Sequence, residues 1–250
     1  MDSPVNLVAA FMLVLARVSG FFAVLPVLSS RTVPLQLRVG LALLVSLILA
    51  SVVPPAPGIA GADWVLLAIL LVREILVGLG LGLAVALVFA AVRQAGLIIR
   101  QQMGMSLAEI IDPTTGEESD PLGMLLEMCF SVLFLVAGGH HLMLRLMARS
   151  YDAFPVGHWP SAGAMAETLV DAGVLMLTFS LKLAAPMLAA FLILAIVLAI
   201  LARILPEMNI LLTSLPLRVG LGLFMAAAMM PLLAGFADLL GQWLNAFLVA

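Results

Sequence analysis

Long apolar stretches, separated by short polar or proline-rich connections, dominate the pattern of this sequence. About 20 apolar residues cross the hydrocarbon of a bilayer as a helix, so each stretch predicts a helix of that kind. The pattern predicts about six long hydrophobic helices, and therefore an all-α, polytopic membrane protein built of helical hairpins. The six stretches are Val5–Leu28, Leu37–Val53, Trp64–Val92, Leu122–Met147, Ala172–Ala202 and Ile210–Ala234. A shorter apolar tail, Phe236–Val249, is predicted to continue the last helix or to lie at the interface.

Polar residues after the third stretch indicate that its helix extends beyond the apolar region. Arg93 and Arg100 are seven residues apart, and so are Gln94 and Gln101. At 100° per residue, that separation returns to nearly the same helix face. We therefore expect the third helix to continue well past its apolar part.

Composition agrees with a membrane protein. Hydrophobic residues form 64% of the 250 residues and charged residues only 10%, whereas about a quarter of an ordinary soluble domain is charged. A soluble fold of this length could not bury so much apolar surface. The formal net charge of −3 gives no indication of nucleic-acid binding, and the single cysteine, Cys129, excludes an internal disulfide.

Several charged residues lie about two or more turns inside the apolar stretches, among them Arg17, Arg73, Glu74 and Lys182. A charge at the centre of a membrane helix costs ~2.5–3.5 kcal/mol to insert. Arg73 and Glu74 are adjacent and point about 100° apart on a helix, so they are poorly placed to neutralise each other. A structural pair within the membrane, a pair with another subunit and a proton relay all remain open. We expect Glu74 and Arg203 to be buried against other helices, with charge partners or backbone hydrogen bonds.

The segment Met103–Gly123 combines apolar residues with residues that interrupt a helix. Gly104 offers a flexible point, and two prolines and a glycine forbid one continuous helix. A loop in water has no need of apolar side chains before its acidic half, whereas irregular backbone at membrane depth persists only inside protein or a water-filled cavity. From the residues alone, a plug folded into a pore and an ordinary loop stay open. The residues in question are Gly104, Leu107, Ile110, Ile111, Asp112 and Pro113.

Glycines at short spacing predict close helix packing rather than a nucleotide site. Gly78, Gly80 and Gly82 follow no strand, so a phosphate-binding fingerprint is excluded, and Gly78-x-x-x-Gly82 favours a tight helix contact. Gly220 and Gly222 have the same interpretation.

The sequence offers no convincing catalytic centre. His140 and His141 are adjacent, so they point about 100° apart and do not form the i, i+4 pair of a zinc site. No nucleophile motif occurs. We therefore expect a protein that is not an enzyme and that needs no cofactor and no metal.

The polar turn within Leu201–Leu223, with Arg203, Pro206, Asn209, Pro216 and Arg218, resembles the corresponding turn of the FliR/SctT family of type III secretion. The resemblance extends over essentially the whole chain. Its other parts are Arg17–Phe22, Arg73–Leu79, Gly104–Ser106 with Asp112 and Pro113, Ser150–Gly157, and Pro186. Each part is weak by itself, but six in order are specific.

The resemblance implies a component of the flagellar type III protein export gate, which forms part of the pore for unfolded flagellar substrates. It implies a single copy in a helical multi-subunit assembly with FliP-type and FliQ-type subunits, near FlhB-type and FlhA-type proteins, in the bacterial inner membrane at the flagellar basal body. It implies that residues 1–165 form a FliP-like module of four long helices and residues 166–250 a FliQ-like hairpin with a C-terminal tail. It also favours the plug for the segment around residues 103–123, and subunit contacts or intramembrane charges for Arg17, Arg73, Glu74, Lys182, Arg203, Pro206 and Asn209.

The competing interpretation is a small secondary transporter or proton-coupled channel. It would use the charges inside the apolar stretches as a substrate or ion path. Such folds usually contain inverted repeats with paired broken helices, and the sequence has no convincing repeat.

Overall fold

The structure, a computed structural model, describes residues 4–26, 33–53, 64–104, 121–157, 162–205, 210–233 and 235–236. Within these ranges the chain forms seven α-helices and no β-strand, which confirms the predicted all-α class. The helices are α1 (Pro4–Val24), α2 (Leu35–Ala50), α3 (Trp64–Met103), α4 (Pro121–Val136), α5 (Gly139–Ala153), α6 (Ala162–Ile204) and α7 (Ile210–Ala228).

Two described helices are long and apolar enough to cross a membrane by themselves, namely α3 and the Leu169–Ile204 part of α6. The pair α4 and α5 meets the same test only when its two helices are taken together, while α1, α2 and α7 supply shorter apolar helices. The chain is therefore an all-α membrane protein, and its described residues contain two, or with the bent pair three, of the long spans predicted. The predicted extension of the third helix is confirmed, because α3 continues to Met103.

The fourth predicted helix, over Leu122–Met147, is wrong as a single element. Gly138 adopts φ 81° and ψ 17°, a left-handed conformation that ends α4 at Val136 and precedes α5. Glycine adopts this conformation without the steric cost that other residues incur, and helices commonly end at such a residue. The Gly138-Gly139 pair was the signal for this break.

The chain divides into two compact units. One consists of Met1–Val88, Gly138–Val174 and Gly241–Ala250, and the other of Phe89–Ala137 and Leu175–Leu240. The predicted division after residue 165 concerns likeness to other subunit types and stays a prediction. The tail predicted at Phe236–Val249 lies almost wholly outside the described residues.

In the first unit, α1 packs against α2. Ala42, Val45 and Leu49 form the buried stripe of α2 at the spacing of one helix face. On the opposite face Leu44 and Leu47 are 57% and 67% exposed. A helix that is apolar on its outer face as well is suited to lipid or to another protein, not to water.

In the second unit, phenylalanine rings form a buried cluster. The ring of Phe89 on α3 meets the rings of Phe130 and Phe134 on α4 edge-on, with centroids 5.0 and 5.3 Å apart. Phe236 extends the cluster, 5.3 Å from Phe130 and 4.5 Å from Phe179 on α6. Edge-to-face pairs at these distances are favourable beyond the area they bury, so the cluster joins these elements of the unit.

Candidate functional site: a buried ion pair and an anchored segment

Arg17 on α1 and Glu74 on α3 form a buried ion pair. The Nε atom of Arg17 lies 2.6 Å from Oε2 of Glu74, and the two side chains are 0% and 2% exposed. A charge buried without a partner is costly, so the pair depends on good geometry and on hydrogen bonds to the remaining donors and acceptors. The structure supplies both.

The C-terminal part of α5 accepts the remaining guanidinium hydrogen bonds. Nη1 of Arg17 donates to the carbonyl oxygen of Ser150 at 3.1 Å and to its hydroxyl at 3.3 Å, and Nη2 donates to the carbonyl oxygen of Phe154 at 2.9 Å. The last carbonyls of a helix have no partner within it, and they carry the negative end of the helix dipole. Arg17 therefore binds both Glu74 and the C-terminal end of α5.

Glu74 uses its second oxygen to hold the chain beyond α5. The backbone N–H of Gly157 donates to Oε1 of Glu74 at 3.0 Å. The ring of Tyr151 covers the guanidinium of Arg17, with its centroid 4.1 Å from Cζ. Both partners of the ion pair thus bind the segment Ser150–Gly157. These contacts join α1, α3 and the end of α5.

Glycines allow α1 and α3 to approach closely beside the ion pair. A side-chain carbon at Gly20 would lie 2.6 Å from the carbonyl oxygen of Ile75, and one at Gly82 would lie 2.8 Å from that of Phe21. At Gly78 it would collide with the backbone carbonyl of Arg17 itself. The close packing predicted for Gly78 and Gly82 is confirmed, and Gly20 completes the contact.

The arrangement is suited to holding helices rather than to moving protons. Nε, Nη1 and Nη2 of Arg17 all donate hydrogen bonds, and both oxygens of Glu74 accept them. A fully paired network of this kind stabilises one arrangement of its members. Among the three interpretations left open by the sequence, the geometry favours a structural pair within the chain for Arg17 and Glu74.

The other predicted charged residues lie elsewhere. Arg73 is exposed on α3, one residue from the buried Glu74. Lys182 is exposed on α6, with Nζ 5.4 Å from the centroid of the Phe179 ring. Arg203 is exposed near the end of α6 in this chain, so its expected burial against other helices stays a prediction. Pro206 and Asn209 lie outside the described residues.

A second constellation holds the start of the segment that follows α3. Gly104 has φ 78° and donates its N–H to the carbonyl oxygen of Gln101 at 3.1 Å. Arg218 on α7 donates to the carbonyl oxygen of Gln102 at 3.1 Å. A cation suits this position, because the last carbonyls of α3 lack partners within the helix.

The far end of the same segment is held by a contact between α3 and α4, and α7 also packs against its start. A side-chain carbon at Gly96 on α3 would collide with the backbone of Gly123 on α4. At Gly222 on α7 it would meet the side chain of Met103. The close packing predicted for Gly222 is thereby confirmed, whereas Gly220 has no atom within 4 Å at its position, so the prediction is wrong for Gly220 in the described chain.

Residues 105–120 connect these anchored ends. The predicted plug residues Leu107, Ile110, Ile111, Asp112 and Pro113 all lie outside the described residues. Gly104 is the one member of the predicted set that the structure describes, and its positive φ fits the flexible point expected there.

Sequence reasoning missed the partners of Arg17. Ser150, Tyr151, Phe154 and Gly157 were part of a recognised pattern, but nothing in the pattern connected them to α1. The available signal was α5 itself, whose buried and charged residues alternate at helical spacing. That pattern indicates that one face of α5 packs on the protein.

The comparisons with known proteins cover almost the whole chain. A family model described as bacterial export proteins, family 1, matches residues 8–242. Flagellar biosynthetic protein FliR of Escherichia coli (strain K12) is 33% identical over 224 residues, which cover 90% of this chain and 85% of that protein. The FliR of Bacillus subtilis (strain 168) is 32% identical over 228 residues, covering 90% and 87%.

A relative from Yersinia pestis is similar over a slightly shorter range. Yop proteins translocation protein T of Yersinia pestis is 29% identical over 213 residues, which cover 83% of this chain and 80% of that protein. The resemblance to the FliR/SctT family is confirmed by these matches. The chain belongs to the family of bacterial export proteins, family 1.

Proposed function

We propose that this protein is a structural subunit of the flagellar type III export gate and forms part of the pore through which unfolded flagellar proteins leave the cell. The observation that carries the proposal is the match over residues 8–242, together with about one-third identity to flagellar biosynthetic protein FliR of Escherichia coli. The FliR proteins of Escherichia coli and Bacillus subtilis are 33% and 32% identical, slightly more than the 29% of the Yop translocation protein, and we take flagellar export as the setting.

The proposed role is structural rather than catalytic. The buried centre around Arg17 and Glu74 joins helices and leaves none of its charged nitrogen and oxygen atoms unpaired. Helices fixed in this way keep their relative positions, as the lining of a protein-conducting pore requires.

The proposed partners are FliP-type and FliQ-type subunits, with FlhB-type and FlhA-type proteins beside them in the bacterial inner membrane. Outward-facing apolar side chains on α6 support an assembly, since Leu192, Ile193 and Ile200 are 64%, 64% and 57% exposed. Such faces are stable in lipid or against other apolar helices. The same proposal includes the division into a FliP-like and a FliQ-like half. Because the two halves resemble different subunit types, a single copy of the chain can complete a ring only together with unlike subunits.

The proposed plug is the segment that begins at Gly104. Its two ends are held, by Arg218 and Gly222 near Met103 and by Gly96 against Gly123. In the proposed role, the apolar residues of Leu107–Ile111 would close a pore that otherwise leaks ions.

Co-purification from native membranes tests the function. A tagged copy of the full chain, extracted in mild detergent, is expected to come out in a complex with unlike export subunits, and deletion of its gene is expected to abolish flagellar secretion. The chain expressed alone is expected to aggregate, because its apolar faces lack their partners. A monodisperse homodimer from native membranes, with normal secretion in the deletion strain, would contradict the proposal and favour the transporter.

A further inference from the structure

One face of α3 near its start combines apolar side chains with a single cation. The described residues that line this surface groove, of about 560 Å³, all belong to α3: Val65, Ala68, Ile69, Val72, Arg73 and Leu76. Val65, Ile69 and Val72 are 67%, 46% and 56% exposed, and Leu76 is 45% exposed. We call these six residues the Arg73 groove.

The spacing of the apolar residues matches a helix–helix seam. Val65, Ile69, Val72 and Leu76 follow one another at intervals of four, three and four residues. Apolar side chains at this alternation line the face that one helix presents to another. Ala68, within the same face, lets a partner backbone approach closely, as small residues do in membrane helix contacts.

Arg73 gives the groove a charge that no described residue of the chain neutralises. In the described part of the chain Arg73 forms no hydrogen bond or ion pair, and the adjacent Glu74 points to the buried Arg17. An arginine on an apolar helix face is costly unless an acceptor lies opposite it. The occupant of the groove must therefore bring a negative group.

Depth along α3 distinguishes a protein carboxylate from a lipid phosphate. Trp64 is 83% exposed at the start of α3, and tryptophans of this kind lie at the membrane–water interface. Arg73 is nine residues further on, about 13 Å along the helix axis. Because half of the hydrocarbon core is only ~15 Å thick, a phosphate at the level of Trp64 is remote from Arg73.

A second copy of this chain is also a poor occupant. A two-fold pairing through the same face would place the same surface patch, with its arginine, on both sides of the interface. Like charges brought together in an interface are strongly unfavourable. The groove is suited to an unlike chain.

We propose that the Arg73 groove receives a helix of an unlike membrane subunit, which places an aspartate or glutamate carboxylate opposite Arg73. This proposal rests on the proposed function, and it assigns one contact between the chain and a neighbouring subunit to the Arg73 groove. It divides the adjacent charges into two roles: Glu74 holds the chain's own helices through Arg17, and Arg73 binds the neighbour.

Site-specific cross-linking identifies the occupant. A benzophenone amino acid replaces Leu76 in the tagged full chain, and native membranes are irradiated before extraction. The expected product is an adduct with a different membrane subunit, which Arg73→Glu abolishes and Arg145→Glu retains, since Arg145 is an exposed arginine on α5. An adduct only with lipid, with a second copy, or with another segment of the same chain would overturn the proposal.

A charge series separates a carboxylate from a merely apolar partner. Arg73→Lys should keep most of the co-purified subunit, whereas Arg73→Met should lower its recovery about tenfold or more, because it leaves the partner's carboxylate buried and unpaired. Recovery with Arg73→Met at or above that of the wild type would overturn the proposal. Exchange of the cross-linked partner's carboxylate for arginine should restore the complex with Arg73→Glu.

The outcomes also separate this surface from the function on which it rests. If the wild-type chain co-purifies with export subunits but the probe at Leu76 reacts only with lipid, the groove assignment fails and the export function stands. If the chain co-purifies with no export subunit and its deletion leaves secretion normal, the proposed export function is wrong. The proposed contact at the Arg73 groove is then wrong as well.

Discussion

Arg17 is met by α3 at two points one helical turn apart. Its side chain pairs with Glu74, and its backbone carbonyl lies where a side-chain carbon of Gly78 would be. The glycine permits the close helix approach, and the glutamate forms its ion pair one turn away, with Oε2 2.6 Å from Nε of Arg17. Position 78 and the ion pair therefore act on the same contact.

Loss of the Glu74 carboxylate is expected to prevent assembly rather than only slow transport. Glu74→Ala leaves Arg17 buried without its charge partner, a change that typically costs about 3–5 kcal/mol. Glu74→Gln keeps a hydrogen-bond acceptor and should have a smaller effect. The measurement is the yield of the detergent-extracted complex.

Glu167→Ala is the matched control, since Glu167 is an exposed carboxylate on α6. It should leave the yield unchanged. A normal yield with Glu74→Ala would show that the ion pair is dispensable for assembly.

A side chain at position 78 is expected to separate α1 from α3. Gly78→Ala puts a carbon against the backbone carbonyl of Arg17, which is not the movable end of a flexible side chain. We expect lower thermal stability of the extracted protein and lower complex yield. Gly40→Ala on α2 meets no atom within 4 Å and should be neutral or stabilising by about 0.5–1 kcal/mol, as in other helix interiors. Equal behaviour of the two variants would contradict the close contact.

The aromatic cluster of the second unit is expected to depend on Phe130. Its side chain is fully buried and touches Phe89, Phe134 and Phe236. Phe130→Ala should lower stability by ~3–5 kcal/mol, the usual range for such truncations. Phe224→Ala removes a ring that is 70% exposed and serves as the control. Thermal unfolding in detergent compares them, and similar midpoints would exclude a central role for the cluster.

Deletion of Leu107–Ile111 is expected to open the proposed pore at rest. The complex should still assemble, but ion conductance across the membrane should rise and growth should slow, because the apolar closure is lost. Deletion of Thr115–Ser119 removes the same number of residues from the acidic half and should leave conductance low. Unchanged conductance with the first deletion in an assembled complex would identify the segment as an ordinary loop.

The helices could be predicted from the sequence because their signal is local. Runs of apolar residues mark α1, α2, α3, α6 and α7, and the spacing of Gly78 and Gly82 marks the tight contact of α3. A single residue was enough to alter the fourth predicted helix, because the left-handed conformation of Gly138 interrupts an otherwise uniform run.

The candidate site could be predicted only in part because its partners are remote in the chain. Arg17 and Glu74 were identified as too deep for lipid, yet 57 residues separate them, and Ser150 is 133 residues from Arg17. Helix rotation decides which of two adjacent charges turns inward. Nothing local to Arg73 and Glu74 fixes that rotation, since it depends on where α1 presents Arg17.

The length of α3 has a consequence for the surrounding bilayer. Forty residues in a helix extend about 60 Å, whereas the hydrocarbon core is only ~30 Å thick. To fit entirely within it, α3 would have to tilt by about 60°, far beyond the usual tilt of about 20°. Hydrophobic mismatch of this size is too large for the bilayer to absorb. A helix of this length exceeds what one crossing of the bilayer needs, and we expect other protein to cover the apolar sides of its surplus part.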